Sequence, residues 1–142
     1  MLYLAFKAAG GRFALPARDV AEVTPLVRLS PVPGGPPALA GLMNHRETAL
    51  PVADLTWLIA GRASRPFAST RIMIITLPDG RRIGLMAERV LRGVNIDPGQ
   101  ARPPDAACAE YVSGVLPWDD GILQLLNPAA LPLDGIFADH GP

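Results

Sequence analysis

Residues 41–55 read GLMNHRETALPVADL. Two short apolar flanks, Gly41 to Met43 and Ala49 to Ala53, enclose the polar run Asn44 to Thr48. This arrangement predicts a strand, a turn and a returning strand. Asp54 follows, just ahead of another apolar stretch. An aspartate there can accept from free backbone N–H groups, so a short helix is expected to open at that point.

Working outward, the flanks repeat the theme. Toward the N-terminus, Leu2, Leu4 and Phe6 alternate with Tyr3, Ala5 and Lys7, as in a half-buried strand. Gly10-Gly11 turns the chain, and Phe13 and Leu15 resume the alternation. Pro16 to Asp19 suits a single helical turn before a further strand, Val20 to Val23. Ser30 to Pro37 is crowded with proline and glycine, which leaves little regular hydrogen bonding and predicts a loop. Toward the C-terminus, Gly61 to Ser69 is a polar linker, and Arg71 to Leu77 is apolar enough for a strand buried on both faces. Pro78-Asp79-Gly80 turns into Arg82 to Met86, and Val90, Val94 and Ile96 continue as strand. Asp97 to Ala107, with Pro98, Pro103 and Pro104, is a loop. Tyr111 to Leu116, a turn at Asp119-Asp120-Gly121, and Ile122 to Leu126 make a last hairpin. Asn127-Pro128 then caps a closing turn that Pro132 ends.

The chain repeats itself. Phe13 to Val20 lies over Ile83 to Val90 at an offset of 70, and Gly41-Leu42-Met43 lies over Gly114-Val115-Leu116 at an offset of 73. Leu50 and Val52 keep the second offset with Leu123 and Leu125, and Asp54 falls on Asn127. Each half reads as hairpin, strand, loop, hairpin and capped helical turn. Two related small barrels are the expected architecture, because closure removes the unpaired edges that short strands expose.

Composition bounds the function. A chain of 142 residues with 49% hydrophobic and 18% charged residues is globular and of single-domain size. Lysine plus arginine total 13, as do aspartate plus glutamate, so no net charge draws the protein to nucleic acid. The single cysteine, Cys108, has no internal partner, and the N-terminus lacks a signal-peptide pattern. No apolar run approaches the roughly 20 residues that span a bilayer. The expectation is a cytoplasmic protein without membrane insertion.

In order along nearly the whole chain, these segments resemble the CheW-like domain family. Residues 41–55 are similar to its core signature: a glycine, two apolar residues, Asn-Leu-Arg-Gly, a short strand with Pro-Val, then Asp-Leu. Tyr3 to Phe6, the Val20-Ala21-Glu22-Val23 segment, Val32-Pro33, Ile83-Gly84-Leu85 with Val90, and Tyr111 to Val115 fall where the family's other elements lie. His45 stands where the family usually has leucine, and Glu47 where it has glycine. The resemblance implies an all-β fold of two interlocked five-stranded SH3-like barrels with short helical turns, one CheW-like domain over residues 1–142. It also implies a non-enzymatic adaptor that binds the cytoplasmic tip of methyl-accepting chemoreceptors and the regulatory domain of a CheA-type histidine kinase. Alternatives are a CheW-like regulator competing for kinase or receptor in a non-motility pathway, and a small ligand-binding barrel.

Carried over by position, the contact residues implied are Val20, Glu22, Gly41 and Arg46. Arg46 on a hairpin tip offers a rigid fork of donors for a partner carboxylate. Gly41 would let a partner helix approach the backbone closely, or else marks a bulge. Val20 also reads as core, and Glu22 or Arg46 as a solvated side chain. Asp54 reads as a cap.

No catalytic or metal-binding set emerges. Ser30, His45 and Asp54 lack the Gly-x-Ser-x-Gly elbow that presents a nucleophile. Two distant histidines, His45 and His140, have no ligand spacing, and Gly34-Gly35 is followed by prolines rather than a phosphate-loop lysine. Eight scattered aromatics form no base-stacking platform. No cofactor, metal or turnover is expected.

Overall fold

The structure, a computed structural model, describes residues 1–97 and 99–137. Pro98, within the expected 97–107 loop, and residues 138–142, with His140, lie outside the described residues. In chain order the elements are β1 (Leu2–Ala8), β2 (Gly11–Pro16), a 3-10 turn (Ala17–Asp19), β3 (Val20–Pro25), β4 (Leu39–His45), β5 (Thr48–Asp54) and α1 (Leu55–Ala60). The second half follows with β6 (Arg71–Thr76), β7 (Arg82–Ala87), β8 (Arg89–Asn95), β9 (Val112–Trp118), β10 (Gly121–Leu126) and a 3-10 turn (Pro128–Ala130).

The strands form two five-stranded sheets, ordered β8-β1-β2-β10-β9 and β3-β6-β7-β5-β4. Each sheet takes the first hairpin of one half and the last three strands of the other. The halves are therefore interlocked, and neither sheet is complete without both. The expected duplication holds at the level of register. Val52 faces Gly84 in the parallel β5–β7 pairing, and Leu125 faces Ala14 in β10–β2. Gly41 faces Val52, and Gly114 faces Leu125. The bulges fall at matching steps, and so do the bridges Ser30–Leu42 and Arg102–Val115.

The sheets curl in the SH3-like manner without closing into continuous barrels. Within the described residues, β3 and β4 are the free edges of one sheet, and β8 and β9 those of the other. The loop beyond β3 reaches across the gap, where Ser30 and Leu42 exchange two backbone hydrogen bonds of 2.8 Å. Arg102 and Val115 do the same beyond β8, at 3.0 and 2.8 Å. We call each gap a seam.

Three cores explain which residues are apolar on both faces. Ile72 and Ile74 of β6 point into one curled sheet with Met43, Leu50 and Val52, while Met73 and Ile75 point into a shared core between the sheets. Ala5 and Ala14 line the other sheet with Leu116, Leu123 and Leu125, and Phe6, Phe13 and Leu15 face the shared core. The central hairpins are thus buried on both sides, as the run at Arg71 to Leu77 predicts. Asp54 opens α1 by accepting from the Thr56 N–H at 3.0 Å, and Asn127 repeats the cap on Ala129 at 3.1 Å. Gly61, at φ 69°, closes α1 in the left-handed conformation.

Candidate partner-binding surface

The signature hairpin turns more tightly than its polar run suggests. His45 pairs with Thr48, so the loop is only Arg46 and Glu47. Their φ values are 51° and 66°, the signature of a type I′ turn, which normally recruits asparagine and glycine. Neither residue relieves that strain by its own chemistry. Support comes from Asn44, whose Oδ1 accepts the Glu47 N–H at 3.0 Å. The tip is thereby fixed while the Arg46 side chain stands 77% exposed.

Glu22 meets this tip across the seam. It sits on β3, beyond the bulge between Val20 and Glu22, whereas His45 ends β4 at the opposite edge of the same sheet. Glu22 Oε2 lies 2.8 Å from His45 Nε2 and 3.6 Å from Arg46 Nη2. The imidazole hydrogen bond holds the Glu22 carboxyl below its ordinary range; burial opposes it, and the Arg46 charge adds a smaller pull in the lowering direction. Arg82 on β7 adds a further favourable charge. His45 is the most buried of the trio, with 13% of its side chain exposed.

The other seam carries the same device with its charges inverted. By the repeat, Glu22 corresponds to Arg92, His45 to Trp118 and Arg46 to Asp119. The Arg92 guanidinium lies 4.6 Å from the Trp118 ring centre, and its Nη2 reaches both Asp119 oxygens at 3.3 and 3.4 Å. Arg12 adds a 2.9 Å bond to Asp120, which lowers the pKa of that carboxyl. One hairpin tip therefore carries the oppositely charged Arg46 and Glu47, and the other the acidic pair Asp119 and Asp120.

Of the four residues named from sequence, only Glu22 and Arg46 meet at this surface. Val20 is half-buried against the shared core and pairs with Ile75. Gly41 is buried at φ 150°, and a Cβ there would come within 2.7 Å of the Ser30 carbonyl oxygen. The close approach that Gly41 permits is made by the chain's own 29–30 segment. The sequence marks His45 as a departure from the signature and gives it no partner. The signal that could have joined it to Glu22 is the matching change from Glu22/His45 to Arg92/Trp118 between the halves.

Elsewhere, Asp54 is a buried structural carboxylate that also accepts the Ser64 N–H at 2.8 Å, tying the linker to α1. Cys108 lies exposed. Among the described residues, no three His, Cys, Asp or Glu side chains gather as a metal site, and no helix is long and apolar enough to cross a membrane.

The family model of the CheW-like domain matches residues 2–133. The chain is 23% identical over 138 residues to the chemotaxis protein CheW of Rhizobium meliloti (strain 1021), covering 94% of this chain and 85% of that protein. It is similar to the crystal structure of the scaffolding protein TtCheW from Thermoanaerobacter tengcongensis, with a TM-score of 0.83 and 25% identity over 92% of this chain and 86% of that one. With two interlocked sheets in this order and a family match over nearly its whole length, the chain belongs to the CheW-like domain family.

Proposed function

We propose that this protein is a non-enzymatic cytoplasmic adaptor of chemosensory signalling, joining the cytoplasmic tip of a methyl-accepting receptor to the regulatory domain of a CheA-type histidine kinase. The observation that carries the reading is Arg46, an exposed guanidinium on a two-residue turn fixed by Asn44. A rigidly mounted fork of donors suits a carboxylate or exposed carbonyls on a receptor hairpin. Glu22, one-third exposed beside it, anchors that tip across the seam, with Val20 at the base of the same strand and Gly41 seating the segment beneath. Names given to its relatives, a chemotaxis protein and a scaffolding protein, point the same way. The interfaces would be modest ones, multiplied across an array.

A second reading keeps the fold and changes the role to a competitor for kinase or receptor in a non-motility pathway. Its support is the local charge: Glu47 adjoins Arg46, and His45 engages Glu22. Titrating the parent and Arg46→Ala against a receptor-tip hairpin and against the kinase regulatory domain decides between them. The adaptor reading requires that the parent bind both partners at once, with Arg46→Ala weaker for at least one. Mutually exclusive binding favours the competitor.

A further inference from the structure

The three positions that cross each seam do not behave alike, and the difference isolates His45. At the second seam the middle residue is Trp118, whose ring offers Arg92 a π face but no charge and no hydrogen bond that would occupy it. Arg92 is left to the tip, and it takes Asp119 through both carboxylate oxygens. That tip charge is engaged, with Asp119 52% exposed. At the first seam the middle residue competes. His45 Nε2 holds Glu22 Oε2 at 2.8 Å, and Arg46 stays back at 3.6 Å on the same oxygen. The strand residue is occupied by the histidine, and the tip cation is left exposed.

We infer that His45 is a positioning residue for Arg46: by taking the Glu22 carboxylate across the seam, it keeps the Arg46 guanidinium available to an acidic partner. The inference rests on the proposed partner contact and deepens it, because it names the residue that sets how strongly the tip recognises acidic groups. An apolar side chain at 45 would leave, among the described residues, Arg46 and Arg82 as the cations acting on Glu22. Arg46, being nearest, would close on it as Asp119 closes on Arg92. A partner carboxylate would then have to displace an internal one.

Four variants titrated against a receptor-tip hairpin rich in glutamate test the inference. His45→Leu should weaken binding roughly two- to fivefold, the range an exposed ion pair supports. His45→Gln, which keeps a neutral donor, should bind close to the parent. The decisive variant is His45→Leu combined with Glu22→Gln. Removing the internal carboxylate frees Arg46 again, so affinity should recover, whereas a hairpin merely damaged by leucine would not be rescued by a second loss. In the partner-free protein, the Arg46 Nε–H should exchange with solvent more slowly in His45→Leu than in the parent. If Arg46→Ala binds like the parent, the underlying contact fails and the inference falls with it. If Arg46→Ala weakens binding while His45→Leu does not, or while the double variant stays weak, the contact stands and the role of His45 is overturned.

Discussion

Glu22 and His45 lie 23 residues apart on the two free edges of one sheet, yet Glu22 Oε2 and His45 Nε2 are 2.8 Å apart. The backbone bridge from Ser30 to Leu42 crosses the same seam, so a side-chain bond and a backbone pair together do what a continuous ladder would do in a closed barrel. Because Arg92, Trp118 and Asp119 cross the opposite seam, the device belongs to the repeat and its chemistry to each half. Open edges otherwise invite pairing with other chains.

The seam should loosen in acid. Glu22 has a folded pKa below its ordinary value of 4.5, and Asp120 at the second seam lies below its ordinary 3.8. A carboxyl depressed on folding adds stability above its unfolded pKa, and that stability disappears as pH falls through the folded value. Thermal midpoints should therefore hold steady at and above about pH 5 and fall below about pH 4.5. Glu22→Gln should flatten part of that fall. An equal acid slope in parent and variant would show that Glu22 does not contribute.

Gly41 and Gly114 occupy equivalent bulges but should not tolerate alanine equally. At Gly41 the left-handed φ of 150° and the 2.7 Å approach to a backbone oxygen leave no room for a methyl group. Gly41→Ala should cost about 2–3 kcal/mol, from backbone strain plus displacement of the 29–30 segment. At Gly114 the nearest atom is the Ala101 methyl at 3.2 Å, which can shift. Gly114→Ala should cost less than about 1 kcal/mol. Urea denaturation of the two variants measures the difference.

How far the sequence reached can be judged from these same residues. Apolar alternation, continuous apolar runs and turn residues together locate the ten strands, and the offsets of 70 and 73 match Gly41 to Gly114 and Asp54 to Asn127, because each pair performs the same backbone task in its half. The exchange of hairpins between halves was not explicit, since similarity between the halves does not say which hairpin completes which sheet. The polar run Asn44 to Thr48 suggests a wider turn than the two-residue one found, because arginine and glutamate carry no preference for positive φ. The family resemblance points to Glu22 and Arg46, but their meeting at the seam depends on an edge-to-edge contact that no local pattern encodes. The sequence leaves Val20 and Gly41 open between core and contact; Val20 is half-buried against the shared core, and Gly41 lies against the Ser30 carbonyl.

Glu47→Gly should stabilise the hairpin. Glutamate at φ 66° pays a left-handed penalty that glycine avoids, while the backbone N–H bonded to Asn44 is retained. The gain should be about 0.5–1 kcal/mol, read as a higher denaturation midpoint at unchanged m-value. No change would mean that the glutamate side chain has a compensating contact.

Asp54 should prove more costly to lose than its counterpart. Its two oxygens accept the N–H groups of Thr56 and Ser64, and the carboxylate is buried. Asp54→Ala frees both donors, and should cost about 2–3 kcal/mol while exposing the 61–69 linker to protease. Asn127 makes a single exposed cap bond, so Asn127→Ala should cost about 0.5–1 kcal/mol.

Arg46 separates folding from recognition most cleanly. Its side chain is exposed and its ion pair to Glu22 is long, so Arg46→Ala should change stability by less than about 0.5 kcal/mol. If the guanidinium makes a charge-assisted contact with the receptor tip, binding should weaken by about 1.5–3 kcal/mol, roughly 10- to 150-fold. Arg46→Lys distinguishes a fork from a point charge. Lysine keeps the charge but loses the planar pair of donors, so it should recover long-range attraction, and with it the association rate, while dissociation stays fast. Stopped-flow titration of the three proteins against the receptor hairpin reads both rates. Full recovery with lysine would show that Arg46 acts through charge alone, and parental affinity in Arg46→Ala would remove this tip from the contact altogether.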